Sequence, residues 1–189
     1  MNSQHIIIVI CGTSGSGKGS VIRGLLKDNK LNLHWAKTAT TRAPRPDDPE
    51  TSRRVFMSRT EFEKLWRAGE IIERNEYNGH LYGALKGEIE KYPKRNAIVE
   101  TDINGAIALK KVYEENCLTI FVYSTLRETE GRLRKRGMPD KVISTRLKIA
   151  RKDIGKRTLC DKVAVNKEGK LDQTIAAVAN QIRGFLEAK

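Results

Sequence analysis

The stretch Ile6-Ile7-Ile8-Val9-Ile10-Cys11-Gly12-Thr13-Ser14-Gly15-Ser16-Gly17-Lys18-Gly19-Ser20 decides the fold of this chain. An apolar, β-branched run ends at a glycine-rich turn, and a helical pattern begins at the lysine. This order of strand, loop and helix is typical of a phosphate-binding P-loop. The glycines let successive backbone N–H groups face one anion, and the helix start adds a positive dipole. The predicted ligands of a nucleotide's phosphates are Gly12, Thr13, Ser14, Gly15, Ser16, Gly17, Lys18, Gly19 and Ser20.

Gly19 departs from the usual P-loop, in which a serine or threonine directly follows the lysine and joins the Mg²⁺ shell. Here Ser20 follows one residue later and is the candidate metal ligand. The alternative interpretation is a glycine-rich turn of an ordinary α/β unit. The apolar run before the turn and the helical pattern over 21–26 favour the P-loop, with Lys18 beside the β- and γ-phosphates.

The composition, with 39% hydrophobic and 31% charged residues, is that of a soluble globular protein, and 189 residues suit one domain. No apolar run approaches the roughly 20 residues of a membrane span, and residues 1–5 lack the basic region of a signal peptide. The cysteines are odd in number and far apart in the sequence, which favours neither a disulfide framework nor a metal site. We therefore expect a cytoplasmic protein with no membrane partner.

The chain carries 36 basic and 23 acidic residues, a net charge of +13. Such a charge could serve nucleic-acid binding. However, the arginines lie beside nucleotide-type motifs, and few aromatic residues are available to stack on bases. The binding of polyphosphates accounts for several of these charges, so nucleic-acid binding is the weaker interpretation.

Strand and helix patterns alternate along most of the chain, which predicts a parallel sheet flanked by helices. Residues 38–84 differ, because short strand patterns and the Asn78-Gly79 turn signal predict a small β-rich insertion. The predicted strands cover 6–11, 31–37, 53–57, 70–77, 80–84, 96–102, 118–123 and 161–166. The predicted helices cover 17–29, 59–68 with Ser58 and Glu61 as a capping box, 85–92, 104–115, two segments within 126–156, and 171–189.

Two arginine-rich segments are further candidates for anion binding. Prolines fix a non-helical loop that carries Arg42 and Arg45, and arginine forks can grip a phosphate through two bonds. A solvated basic loop is the alternative there. In residues 126–156, Gly137-Met138-Pro139 predicts a hinge between two helices. Arg132 and Arg136 lie four residues apart on one helix face, where like charges repel unless an anion offsets them, so this segment is predicted to be a lid over phosphates.

These residues together resemble guanylate kinases, P-loop enzymes that transfer the γ-phosphoryl group of ATP to GMP, over essentially the whole chain. The motifs that carry the resemblance are Gly12 to Lys18, Thr40-Thr41-Arg42-Ala43-Pro44-Arg45, Ile72-Glu73, Tyr82-Gly83, Asp102-Ile103-Asn104-Gly105, Arg132-Leu133 with Arg136-Gly137, Arg146-Leu147 with Ala150, and Asp161 to Asn166. The resemblance implies a single domain with an α/β core of the P-loop NTP hydrolase type. That core would comprise 1–37, 85–125 and 158–189, with an NMP-binding subdomain at about 38–84 and a helical lid at about 126–157.

The resemblance also implies roles for single residues. The P-loop would hold ATP, with Mg²⁺ bound by Ser20 and, through water, by Asp102 at the end of a predicted strand. Glu73 would accept hydrogen bonds from the guanine N1–H and 2-amino groups, and Thr38 could reach guanine O6. The predicted catalytic residues are Lys18, Arg42, Arg132, Arg136 and Arg146. The predicted GMP-binding residues are Thr38, Arg42, Arg45, Arg54, Glu73, Tyr82 and Glu100. ATP and GMP would be the small-molecule substrates of a monomer or homodimer.

Four positions depart from the family pattern. Arg54 stands where a tyrosine usually contacts the acceptor phosphate, and Ala84 where a hydroxyl commonly contacts the base. Glu100 replaces an aspartate, and Asp48 replaces a glutamate. These departures keep two alternatives open: a related kinase that accepts a deoxynucleotide or a phosphorylated sugar, and a non-catalytic binding module of the same fold. Glu73 argues against a sugar acceptor, which offers no pair of N–H donors. Retention of Lys18 and the lid arginines argues against a non-catalytic module.

Overall fold

A five-stranded parallel sheet is the core of the computed structural model, which describes residues 5–44, 51–77 and 79–189. Its order is β2-β7-β1-β8-β9, so that β1 is the central strand. The strands of this sheet are β1 (Ile7–Gly12), β2 (Leu33–Trp35), β7 (Asn96–Glu100), β8 (Cys117–Tyr123) and β9 (Lys162–Val165). The helices of the chain are α1 (Lys18–Leu25), α2 (Arg59–Arg67), α3 (Lys86–Ile89), α4 (Ile103–Tyr113), α5 (Leu126–Lys135), α6 (Asp140–Gly155) and α7 (Leu171–Glu187).

The two faces of β1 belong to two different apolar layers. Ile8 and Ile10 pack with buried residues of α1 and α7, whereas Ile7 and Val9 pack with those of α3 and α4. Alternate side chains of a strand point to opposite faces, so a continuous apolar run is required where helices cover both. The predicted parallel sheet flanked by helices is confirmed.

A second, four-stranded sheet is built entirely from residues 38–84, in the order β4-β3-β6-β5. β3 pairs in parallel with β4 and antiparallel with β6, which in turn pairs antiparallel with β5. This sheet has a small core of its own around Phe62 and Leu81. Its strands are β3 (Thr38–Thr40), β4 (Arg54–Phe56), β5 (Asn75–Tyr77) and β6 (His80–Ala84).

Several predicted elements are shorter than expected, among them the strand predicted over 31–37, which keeps only Leu33–Trp35. α1 ends at Leu25 and is followed by a turn and a 3-10 helix over Asn29–Leu31. α3 covers only Lys86–Ile89 of the predicted 85–92, since residues just before Pro93 disfavour helical backbone. The predicted strand 70–77 keeps only its last three residues, with an isolated bridge between Ile71 and Leu85.

Local signals at the element ends have mixed outcomes. The Ser58 hydroxyl caps α2 by accepting from the Glu61 N–H at 3.1 Å. Among the described bonds, the Glu61 side chain does not return a bond to the Ser58 N–H, so the predicted capping box is only half formed. Thr125 and Glu128 form a complete capping box on α5. The hinge between α5 and α6 is present. Asn78 lies outside the described residues, although β5 and β6 pair as the hairpin signal predicts, with Tyr77 opposite His80.

The three cysteines are free thiols, yet Cys11 and Cys160 meet despite their separation in the sequence. Their sulfur atoms lie 3.4 Å apart, where β1 passes the segment before β9. Within the part of the chain that the structure describes, no helix is long and apolar enough to cross a membrane.

The packing of α1 against α7 generates a test of the fold. A Cβ at Gly24 would lie 2.3 Å from Ile175 Cδ1 and 2.8 Å from its Cγ1, so Gly24→Ala should lower the free energy of unfolding by about 1–3 kcal/mol. The matched control is Gly184→Ala in α7, where no atom lies within 4 Å of the new Cβ. It should raise stability by about 0.5–1 kcal/mol through helix propensity. Urea unfolding measures both, and equal effects would contradict this packing.

Candidate active site

The loop between β1 and α1 has the backbone of an anion cradle. Gly12 has a φ of +134°, and a Cβ there would lie 1.9 Å from the Val122 carbonyl oxygen. Gly17 has a φ of +88°, and its Cβ would lie 2.4 Å from Asn166 Nδ2. Val122 of β8 and Asn166 after β9 therefore leave no room for a side chain at either position, and the positive φ values also favour glycine.

Polar groups of this loop are available to an anion. Lys18 Nζ donates to the carbonyl oxygens of Gly12 and Thr13, at 2.9 and 3.1 Å. The hydroxyls of Thr13 and Ser16 are buried, and neither has a hydrogen-bond partner within the described chain. A buried hydroxyl without a partner is costly, and phosphate oxygens would satisfy both groups. The candidate metal ligand Ser20 lies in the first turn of α1 and accepts from Arg23 at 2.9 Å.

Two of the three predicted lid arginines contact the P-loop. Arg132 donates to the carbonyl oxygens of Gly15 and Ser16 at 3.4 and 3.3 Å, and to that of Asn166 at 2.9 Å. Its Nε pairs with Glu168 at 3.1 Å. Arg146 of α6 donates to the Ser14 hydroxyl, and its guanidinium lies 5.7 Å from the ring centroid of Tyr77. Arg136 is different, since it is exposed at the C-terminal cap of α5.

The second sheet brings together the residues predicted for an acceptor phosphate. Thr38 pairs with Arg54 across β3 and β4, and Arg54 donates to the Thr38 hydroxyl at 3.1 Å. The Arg54 guanidinium also lies 5.7 Å from the ring centroid of Tyr82. Arg42 follows β3, and its guanidinium lies 5.8 Å from the Phe56 ring. The predicted residues Arg45 and Asp48 lie outside the described residues.

Glu73 is a buried carboxylate between the two sheets, with 5% of its surface exposed. Thr101, just after β7, donates to Oε1 at 3.0 Å, and Asn75 of β5 donates to Oε2 at 2.6 Å. The same Asn75 nitrogen donates to Asp102 Oδ1 at 3.0 Å. Burial, with the negative charge of Asp102 as a second cause, raises the pKa of Glu73 to about 8, although the Thr101 hydrogen bond opposes this.

Asp102 and Glu100 lie at the end of β7, next to the central strand. Asp102 is the N-cap of α4, and its Oδ1 accepts from the Gly105 N–H at 2.9 Å as well as from Asn75. Glu100 is the last residue of β7 and is paired with Ile10 of β1. Burial, followed by Asp102, also raises the pKa of Asp153 in α6, whereas Lys18 and Lys156 lower it, so this end of the sheet combines acidic and basic charge.

Three polar residues of this site were not predicted from the sequence. Asn75 shares a strand pattern with Glu73, and their spacing of two residues would have placed both on one face. Thr101 lies between two acids and carries no signal of its own. Asn166 was part of a family motif but had no role; its Nδ2 donates to the Ser16 carbonyl oxygen at 2.7 Å and so fixes the P-loop.

The buried Glu73 predicts an unusual pH dependence of stability. Its pKa is raised in the folded state, so its ionisation removes stability as the pH rises from about 4.5 to about 8. Glu73→Gln should therefore be more stable than the unsubstituted protein by about 2–4 kcal/mol at pH 8.5, and nearly equal to it at pH 5. Urea unfolding at both pH values tests this, and a difference that does not change with pH would contradict the raised pKa.

Comparison with known proteins agrees with this geometry along the whole chain. The protein-family model described as guanylate kinase matches residues 4–184. A guanylate kinase of Porphyromonas gingivalis is 38% identical over 167 residues, which cover 86% of this chain and 89% of that protein. One from Lactobacillus johnsonii is 30% identical over 100% of this chain and 91% of its own length. The crystal structure of guanylate kinase from Anaplasma phagocytophilum superposes with a TM-score of 0.76 at 27% identity, covering 96% of this chain and 86% of that one. The chain belongs to the guanylate kinase family.

Proposed function

We propose that this protein transfers the γ-phosphoryl group of ATP to GMP or dGMP, which yields ADP and the nucleoside diphosphate. The observation that carries this proposal is the Glu73 carboxylate, which is buried between the five-stranded core sheet and the four-stranded sheet of residues 38–84, called the acceptor sheet below. A buried carboxylate needs hydrogen-bond donors. Within the described residues, the hydrogen bonds to Glu73 come from the neutral groups of Asn75 and Thr101 and not from a cation.

Guanine matches this carboxylate in its chemistry. Its N1–H and 2-amino group are adjacent donors, and a carboxylate can accept both at once. Adenine presents an acceptor where guanine has N1–H, so it would leave the carboxylate unpaired and incur a large penalty. The proximity of Thr38 and Arg54 on the same sheet supports a place for the acceptor's O6 and phosphate there.

The proposed division of labour follows the needs of phosphoryl transfer, which requires positioning and charge neutralisation rather than a covalent nucleophile. The loop Gly12 to Ser20 and Lys18 bind ATP. The acceptor phosphate is bound by Arg42, Arg45, Arg54 and Tyr82, and Glu100 lies beside the acceptor. Arg132, Arg136 and Arg146 act on the transferring group. Arg132 and Arg146 already contact the P-loop, which supports their part in this arrangement.

Mg²⁺ fits the donor set on this side of the site. Ser20 and Asp102 offer a hydroxyl and a carboxylate, the hard oxygen ligands that Mg²⁺ prefers, usually together with several waters. Both hydrogen bonds of Asp102 use Oδ1, which leaves Oδ2 for a metal-bound water. The ion would neutralise charge on the β- and γ-phosphates.

We also propose that the protein is a cytoplasmic monomer or homodimer in which residues 38–84 and 126–157 move relative to the core. Its free thiols suit a reducing compartment.

The proposed reaction is tested by steady-state rates with ATP, Mg²⁺ and a panel of GMP, dGMP, AMP, CMP and UMP. GMP or dGMP should be preferred, and Lys18→Ala should lower kcat by about 10²–10³-fold because it removes charge from the transferring phosphates. The matched control is Lys27→Ala, at an exposed position just after α1, which should leave the rate unchanged. A preference for another acceptor, or no turnover of any, would overturn the proposal.

The raised pKa of Glu73 also predicts how GMP use depends on pH. GMP binds the ionised form of Glu73. Because the pKa of Glu73 is about 8, its acid form predominates at a pH below that value. KM for GMP should therefore fall about fivefold to tenfold between pH 7 and pH 8.5, a range in which the phosphate is mainly dianionic. Glu73→Gln should have a high KM that is flat over this range. A flat profile in the unsubstituted enzyme would contradict the prediction.

A further inference from the structure

We propose that Asn75 and Thr101 are positioning residues for guanine recognition, because they hold the Glu73 carboxylate with one free lone pair of each oxygen directed to the base. This inference rests on the proposed transfer to GMP. It adds two residues that contact Glu73 rather than the nucleotide.

The distribution of hydrogen bonds on Glu73 carries the inference. Oε1 accepts from the Thr101 hydroxyl at 3.0 Å, and Oε2 accepts from Asn75 Nδ2 at 2.6 Å. Each carboxylate oxygen has two acceptor positions, so the one donor that each receives from the described residues leaves one further position on each. Guanine has two adjacent donors, the N1–H and the 2-amino group. The protein thus satisfies half of the carboxylate and leaves the half that this base can fill.

The two donors come from different sheets and fix the carboxylate from both sides. Asn75 belongs to the acceptor sheet, and Thr101 follows β7 of the core sheet. Asn75 also donates to Asp102, which caps α4. At Gly105 in α4, a Cβ would lie 2.2 Å from Thr101 Oγ1 and 3.0 Å from both Cδ and Oε1 of Glu73. The carboxylate therefore rests against the helix, and its plane cannot turn without breaking a bond.

The charge balance gives these donors a second effect. Burial and Asp102 both favour the neutral form of Glu73, which binds guanine poorly. Hydrogen bonds donated by the neutral Thr101 and Asn75 favour the ionised form without adding a cation that would compete with the base. The Asn75 amide bridges the two acids, because the same nitrogen donates to Glu73 Oε2 and to Asp102 Oδ1.

Ala84 makes the orientation of Glu73 more important in this chain. Ala84 is buried and lies opposite Thr38 in the sheet, at the position where the family commonly has a hydroxyl that contacts the base. Without that hydroxyl, discrimination depends on Glu73 to a greater extent. A carboxylate that is free to rotate would lose the match to two donors at once.

The test compares Thr101→Val, which removes only the hydroxyl, with a control of the same chemistry. In β8, the Thr119 hydroxyl donates to Asp161 at 2.8 Å, so Thr119→Val breaks a threonine–carboxylate bond away from the nucleotide site. Thr101→Val should raise KM for GMP about tenfold or more, as expected for loss of a hydrogen bond to a charged group. KM for ATP and kcat at saturating GMP should stay within about twofold, Thr101→Ser should restore KM, and Thr119→Val should leave it unchanged.

The use of inosine monophosphate as an alternative acceptor separates a role in base recognition from a purely structural role. It keeps the N1–H of GMP but lacks the 2-amino group, so a correctly held carboxylate distinguishes the two. The ratio of kcat/KM for GMP over that for inosine monophosphate should fall in both Thr101→Val and Asn75→Ala and stay constant in Thr119→Val. An unchanged ratio and KM in the two site variants, in an enzyme that phosphorylates GMP, would overturn this inference alone. An unsubstituted enzyme that does not phosphorylate GMP would overturn the proposed function as well.

Discussion

The burial of one carboxylate between two sheets is the constraint on which this site depends. Glu73 is removed from water beside a second acid, Asp102, and that arrangement costs stability because both burial and like charge disfavour its ionised form. Such a group persists in a fold only when the surrounding structure supplies enough stability elsewhere and function requires it. Here the support is the apolar layer on each face of β1, one of which reaches the site through Ile72 and Ala84.

The order of the core strands explains why the P-loop and the hydrogen-bond partners of Glu73 lie side by side. β7 is the direct neighbour of β1, and both run in the same direction. The P-loop follows β1, while Thr101 and Asp102 follow β7, so the carboxyl ends of two adjacent strands present the phosphate cradle and the partners of Glu73 side by side. Asn166, after β9, reaches the same edge and holds the Ser16 carbonyl oxygen. In open α/β sheets this edge is the usual place for ligands.

The parts of the protein that could be predicted from sequence are those specified by local patterns. The P-loop, the break between two helices at 137–139 and the separate sheet of residues 38–84 depend on neighbouring residues, and the structure has each of them at its predicted place. The strand predicted over 70–77 is present only in part, as β5 and the bridge between Ile71 and Leu85. Between these two parts, Glu73 accepts a hydrogen bond from Thr101, 28 residues away, which simple alternation could not predict. The spacing of Glu73 and Asn75 could place those two on one face, but their bonds to Thr101 and Asp102 arise only when the two sheets pack together, so the sequence could not indicate them.

Two arginines of α5 and α6 show how the same edge joins separate parts of the structure. Arg132 has 17% of its side chain exposed and is bound to three backbone carbonyls and Glu168, so it fixes the P-loop and the end of β9 relative to α5. Arg146 contacts Ser14 of the P-loop, and its guanidinium lies 5.7 Å from the ring centroid of Tyr77 in the four-stranded sheet. One guanidinium on α6 therefore lies beside both the P-loop and the second sheet. Because the guanidinium is planar and rigid, its contacts with these two parts cannot be adjusted independently.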